Sequence, residues 1–487
     1  MSTTANHPTG SPGPATVRFG RRSTRGLILG LSTARCVTAG AAAAVLVAGL
    51  VAAGGIGLIL TGVVWVPLLA AIFVTWQSKP LVEWVPVAVH WALRRAAHQT
   101  EYRARVGSPR PAGTLALPGD AASLRFYADP QTGACMIHDP HRQTLSACLR
   151  ISHPAYVLLA PDDQHSRVSA WGRAYAALAN SGTCAAIQVS EQTVPDPGTG
   201  ITGWYQTHGT HDGGWADRQY QALLERSSQA SSTHRSTITI ALDLRKAAKT
   251  VRDAGRGVKG AAAVLAGDMT AVEYSIREAG LRVAGWLDET TLAATVRQAY
   301  DPVLDANPGS PGMAMGKAGP LAVSEHWSWL RHDSGYTSVL WISDWPRIDV
   351  APHFLHALIF APGVRKTLSI VARPLGTAEA LKQIRREKTE AVTDSAHKAK
   401  VGQIADLSDA AEYADVLNRE RALISGHADV EFSGFITVTA PSRDELTAAV
   451  ALVERAATQA ACETRLIFGR QAQAFIVAAL PLGRSVL

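Results

Sequence analysis

From Cys36 to Gln77 the chain has no charged residue, and small or apolar side chains fill most positions. At about 1.5 Å of rise per residue, a helix over that stretch covers roughly 63 Å, about twice the hydrocarbon thickness of a bilayer. The pattern predicts a two-helix transmembrane hairpin over 35–77, with spans near 36–53 and 57–76. The turn is expected at Ala53-Gly54-Gly55-Ile56-Gly57, where paired glycines permit a tight reversal. Pro67 predicts a kink in the second span, and Trp76 marks its interfacial end. A secretory signal would have a much shorter apolar stretch and a small-residue cleavage site.

On either side the pattern changes. Residues 1–34 are predicted to form a disordered basic tail, rich in Pro, Gly, Ser and Thr near its start. Within 78–110, Leu81 to Arg105 carries Trp84, Val87, Trp91 and Leu93 among arginines, which predicts a basic juxtamembrane helix lying at the inner membrane surface. The alternative is a linker helix packed on the body. A turn-rich piece from Gly107 to Asp120 then separates anchor from body.

The body alternates strand and helix patterns. Strands are predicted at Ala155–Ala160, Cys184–Val189, Ser236–Leu242, Tyr336–Ile342, Phe432–Thr439 and Thr464–Phe468. Helices are predicted at Asp162–Asn180, Trp215–Gln229 and Ser442–Gln459, the last opened by a Ser442/Glu445 capping box. A strand-helix-strand unit therefore occurs early and again late. The expected fold is α+β: the hairpin followed by a two-lobed α/β body with ferredoxin-like units. Lobe 1 spans 111–320 and lobe 2 spans 321–487, with a long helical insertion at 377–425.

Charge assigns an orientation. Arg18, Arg21, Arg22, Arg25 and Arg35 precede the apolar run; Lys79, Arg94, Arg95, Arg103, Arg105 and Arg110 follow it, against only Glu83 and Glu101. Basic flanks on both sides predict an inner-membrane, multi-pass protein with both termini and the body in the cytoplasm. Setting those flanks aside leaves 36 basic and 38 acidic residues, so the net charge of +7 belongs to the anchor. A phosphate-neutralising domain would carry that excess itself, so direct nucleic-acid binding is not expected. The five cysteines have no metal-ligand spacing and read as reduced thiols.

Catalytic motifs fail. Gly312-Met313-Ala314-Met315-Gly316-Lys317-Ala318 lacks one spacer and the magnesium-binding hydroxyl of a phosphate loop. G-x-S-x-G and H-E-x-x-H are absent. His208 and His211 have a helical metal-ligand spacing but lie among glycines that favour a turn. No catalytic residue, cofactor or metal is therefore expected. The densest unusual cluster runs from Glu325 to Ser334. His332 and Asp333 are chemically an acid/base pair, but neighbours on a strand face opposite ways. Trp327, Trp329, Arg331, Asp333, Trp345 and Pro346 are instead the candidate docking surface, because aromatics and arginine dominate such contacts.

The terminal Gln471-Ala472-Gln473-Ala474-Phe475 and Leu480-Pro481 resemble the end of the N-terminal, motor-less part of the CagE/TrbE/VirB conjugative ATPases. A closer resemblance is to actinobacterial conjugative-element membrane proteins, grouped as PrgI-like. It is carried by the anchor, Tyr300-Asp301-Pro302, Gly319-Pro320, Arg331-His332-Asp333-Ser334, Trp345-Pro346-Arg347, Gly469-Arg470-Gln471 and Leu480-Pro481-Leu482-Gly483. It spans nearly the whole chain, with specificity in the order of short motifs. It implies a non-catalytic scaffold of a type IV secretion-like DNA transfer apparatus. Implied partners are the membrane, a separate ATPase and channel subunits, with the chain an oligomer inside a complex. Gln471, Phe475, Leu480 and Pro481 would then form an edge against which the separate motor works. The competing readings are a type VII secretion core component of the EccE kind and a membrane-bound enzyme.

Overall fold

The computed structural model describes Phe19 and residues 32–77, 79–105, 107, 112–152, 156–195, 199–228, 232–306, 313–400, 407–424 and 429–484. Apart from Phe19 and Ser32–Ala34, the expected basic tail lies outside these residues.

The protein is mixed helix and sheet, with one N-terminal apolar helix and a large sheet body. Among the described residues, one helix, Thr33–Phe73, is long and apolar enough to cross a membrane. It is interrupted at Ala53 and at Gly54, whose φ of +56° only glycine adopts without strain. Pro67 lies inside it. Gly49 and Gly57 are in close approach: a Cβ on Gly57 would sit 2.0 Å from the Gly49 carbonyl oxygen. Ser32 Oγ donates to Glu83 at 2.8 Å, and Arg35 lies 3.9 Å from the same carboxylate. The next helix is Leu81–Ala96, shorter than the sequence predicts. The chain then enters the body as the strand Glu101–Arg103, antiparallel to Ala322–Glu325.

Among the described residues, the body is built on one 13-stranded antiparallel sheet. Its two central sets of four strands have the same order. The first set runs Cys184–Pro195, Ser232–Asp243, Thr144–Ser152, Arg282–Trp286. The second runs Arg365–Leu375, Asp429–Ala440, Gly335–Asp344, Glu463–Leu466. Numbered along the chain, both read second, third, first, fourth, a split β-α-β pattern. The sets join through their equivalent second strands, antiparallel from Lys366 opposite Thr193 to Ala372 opposite Ile187. The expected lobes 111–320 and 321–487 thus share one sheet rather than meeting at a linker.

Strand alternation divides the core by face. Leu145, Leu149, Ile187, Ile238, Ile240 and Leu242 face the helix Gly257–Glu278. In the second half, Leu340, Ile342, Leu368, Ile436 and Val438 face the helix Arg443–Gln459. That helix is capped by Ser442, as the capping box predicts. The opposite sheet face carries smaller side chains, with Cys148, Ala186 and Ala241 packed beside Phe475 and Leu482 of the C-terminal segment.

The Ala155–Ala160 strand is not formed: Tyr156–Leu158 is a 3-10 turn, and the strand is Thr144–Ser152 just before it. Pro154 and Pro161 bracket the apolar run, leaving it too short to join the ladder, and Pro161 opens the helix Pro161–Asn180. The 377–425 insertion forms two helices, Thr377–Lys400 and Leu407–Ile424.

Candidate interaction surfaces

The Glu325–Ser334 cluster folds as a hairpin whose strands are Ala322–Glu325 and Leu330–His332. Its first acid is a structural clamp. The Glu325 carboxylate is buried, receives Arg94 of the Leu81–Ala96 helix at 2.5 Å and accepts from Ala472 N at 3.2 Å. Ala472 is in the first turn of Gln471–Ala479, where the positive helix end also favours a carboxylate. Arg94 further donates to the Gly469 carbonyl at 3.3 Å. One buried acid therefore ties the Leu81–Ala96 helix and the C-terminal helix to the sheet.

Trp327 completes that joint. Its ring centroid lies 5.3 Å from Trp91, 5.9 Å from Phe468 and 6.4 Å from Trp84. Trp76 joins the cluster 4.8 Å from Trp84 and 4.9 Å from Phe468. Gly469 permits this packing on two counts: its φ is +68°, and a Cβ there would sit 2.9 Å from the Trp327 ring. Trp327 thus faces the chain's own Leu81–Ala96 helix. That helix is docked on the body while Val85, Val89 and Leu93 remain exposed.

The other residues of the candidate surface separate. Trp329 is half-buried, stacked on His326 at 3.6 Å and covered by Arg443, 5.5 Å from its ring. Arg331 is exposed over the Tyr336 ring at 5.6 Å. Asp333 accepts from the backbone N–H groups of Leu321 and Ala322 at 2.9 and 3.0 Å and pairs with Arg297 at 2.7 Å. His332 turns the other way, fully buried, with Nδ1 2.6 Å from the Tyr300 carbonyl and Nε2 2.7 Å from Thr337 Oγ1. Burial pushes its pKa down to about 4, so it is a neutral member of a core network. His332 and Asp333 form no acid/base pair. Trp345 is half-buried beside Phe354 and Phe432, and Pro346 is buried.

The terminal motif is interior. Gln471, Phe475 and Leu480 are 0 to 1% exposed, and Pro481 is buried. The Gln471 side chain accepts from Val339 N at 2.9 Å, and Phe475 packs 4.9 Å from Tyr300. Gln188 donates to the Val477 and Leu480 carbonyls, both at 3.0 Å, and accepts from Gly483 N at 2.8 Å. Ser146 and Thr239 donate to the Leu482 and Pro481 carbonyls, and Arg484 pairs with buried Asp139 at 3.0 Å. In this fold Gln471, Phe475, Leu480 and Pro481 offer a partner no surface. The segment has a core role because polar residues on the sheet face satisfy its otherwise stranded backbone.

Exposed aromatic side chains lie where sequence reasoning looked only for metal ligands. The helices Thr199–His208 and Trp215–Ser228 are held together by Tyr205, whose hydroxyl donates to Asp217 at 2.5 Å and whose ring lies 4.8 Å from Tyr220. Trp204 and Trp215 are left 59% and 72% exposed, with Ile201 and Leu223 nearby in sequence and also exposed. Two tryptophans flanking a glycine-rich loop were the available signal. His208 stacks on Trp204, and His211 contacts Tyr205. Among the described residues, no group of three His, Cys, Asp or Glu is placed to hold a metal ion. Of the five cysteines, all free, Cys135, Cys148, Cys184 and Cys462 are buried, and burial pushes the Cys135 thiol up to about 12. Neither the family models nor the curated proteins compared with this chain match it.

Proposed function

We propose that the protein is a non-catalytic, membrane-anchored scaffold of a type IV secretion-like conjugative DNA transfer apparatus, docking a separate ATPase at the cytoplasmic membrane. The observation that carries this reading is the joint between anchor and body: Arg94–Glu325 and the Trp84, Trp91, Trp327 and Phe468 rings fix the Leu81–Ala96 helix, which follows the apolar helix, to the sheet. A joint of that kind transmits load, which a scaffold needs and a freely tethered domain does not.

In this reading the apolar helix crosses the membrane twice, and both flanks are cytoplasmic. Three features support it: the interruption at Ala53 and Gly54, the close approach of Gly49 and Gly57, and the Ser32–Glu83 hydrogen bond. A straight 41-residue helix would be about 61 Å long, and the ten residues from Phe73 to Glu83 reach at most about 36 Å. The docking surface is assigned to Trp204, Trp215 and Leu223 rather than to the C-terminal segment, because exposed aromatic patches mark partner contacts.

Affinity purification in mild detergent followed by mass spectrometry tests the assignment. Recovery of a conjugative VirB-type ATPase, lost on Trp204→Ala/Trp215→Ala, supports it; recovery of a type VII secretion ATPase moves the protein to the EccE-like class. Steady ATP turnover by the purified chain, abolished by Lys317→Ala, would overturn the non-catalytic reading.

A further inference from the structure

Phe19 is the only aromatic residue before Trp65, and it is docked on the body. Its ring stacks on Trp345 at 5.2 Å with the planes 26° apart, meets Phe354 edge-on at 5.3 Å and lies 5.7 Å from Phe432. The three receiving rings also contact one another, with Phe432 5.3 Å and Phe354 6.3 Å from Trp345. They come from separate places: the end of the Gly335–Asp344 strand, the segment before the short helix His356–Ile359, and the Asp429–Ala440 strand. Beneath them the strand carries Gly434, where a Cβ would lie 2.6 Å from the Trp345 ring. The absence of a side chain there is what lets the indole lie against the sheet.

All four rings are half-buried, so Phe19 sits at the surface of the body rather than in a sealed core position. Stacked and edge-on contacts from different sides favour an aromatic side chain over an aliphatic one, because ring quadrupoles reward those geometries.

We propose that Trp345, Phe354 and Phe432 form a recognition site for a phenylalanine presented on an arginine-rich segment. Its ligand is the chain's own N-terminal segment, in which Arg18, Arg21 and Arg22 surround Phe19. Residues 20–31 connect this latch to Ser32, a path of at most about 45 Å. Phe19 thus docks on the same half of the body that receives the Leu81–Ala96 helix. The site is independent of which secretion apparatus the protein serves.

Limited trypsin digestion of the full chain in detergent micelles tests this, reading cleavage after Arg18, Arg21 and Arg22 by mass spectrometry. Cleavage follows the undocked population when opening is fast, so Phe19→Ala should be cut about tenfold faster than wild type, and Phe19→Tyr should stay near wild type. Phe19 belongs to none of the body's strands or helices, so Phe19→Ala leaves their packing intact. Trp345→Ala should raise cleavage similarly, and the Phe19→Ala/Trp345→Ala double variant should be cut no faster than either single. Equal cleavage of wild type and Phe19→Ala, or additive effects in the double variant, would overturn the assignment. Should Trp345→Ala unfold, a fluorescent peptide spanning 14–24 decides: binding to Phe19→Ala but not to the latched wild type supports the site, and equal binding to both refutes it.

Discussion

Between its second and third strands each half of the sheet carries a pair of helices, and the two pairs meet solvent differently. In the second half, Thr377–Lys400 and Leu407–Ile424 bury a small core of Leu375, Ala380, Ile384 and Leu423. Arg419 ties the pair, bonding Glu387 at 2.9 Å and Asp429 at 2.7 Å. In the first half, Thr199–His208 and Trp215–Ser228 leave Trp204 and Trp215 in solvent. Equal strand order therefore does not mean equal work. The second half receives the Leu81–Ala96 helix, the Glu101–Arg103 strand and Phe19; the first half exposes two tryptophans, where the second half's helix pair exposes Val392, Tyr413 and Ile424.

The sharpest way to break this contrast is at the joint on the second half. Glu325→Leu leaves Arg94 facing an uncharged interior and should cost about 3–5 kcal/mol in thermal or denaturant unfolding. Arg94→Met added to Glu325→Leu should recover most of that loss, since replacing both charges with apolar groups removes the stranded one.

Acid should weaken the same half next. His332 titrates at about 4 when folded and near 6.5 when free, so between those values the unfolded chain binds the extra proton. Its stabilising effect is complete above pH 6.5 and is lost as pH falls toward 4, with a total of order 3 kcal/mol. Unfolding followed from pH 7 to pH 4 should show that slope, and His332→Gln should flatten it.

Gly469→Ala should cost about 1–3 kcal/mol, because it adds a left-handed backbone penalty to a clash with Trp327. Its signature is faster proteolysis between Leu81 and Ala96, with the first half unaffected. The smallest stability effect belongs to the first half: Trp204→Ala and Trp215→Ala should each shift unfolding by under about 0.5 kcal/mol while reducing partner recovery. A large destabilisation there would mean those rings pack in the native state and are not a contact surface.

Much of the architecture was legible from periodicity. The capped helix after Ser442, the strands through Ile187, Ile240 and Ile436, and the helical insertion after Thr377 follow from spacing, because alternation and capping are local. The Thr144–Ser152 strand escaped that reading. Its sheet face toward the C-terminal segment carries Ser146 and Cys148, so it lacks a strong apolar signature on that side. The candidate site was legible in composition but not in direction. Trp327 and Trp345 were visible as unusual residues, yet whether a tryptophan meets a partner or its own chain depends on Trp91 and Phe19, hundreds of positions away.

By itself the sequence determined that residues 36–77 are an uncharged apolar stretch between basic flanks and that an α/β body follows, because composition and short-range spacing govern those properties. Only the tertiary structure decided that the two strand sets share one sheet and that Gln471, Phe475, Leu480 and Pro481 are core rather than an edge. The reason is physical: Gln188, Ser146 and Thr239 satisfy the backbone of the C-terminal segment from strands some 240 to 340 positions earlier. No local pattern records such pairings; they arise when the sheet brings those side chains to one face.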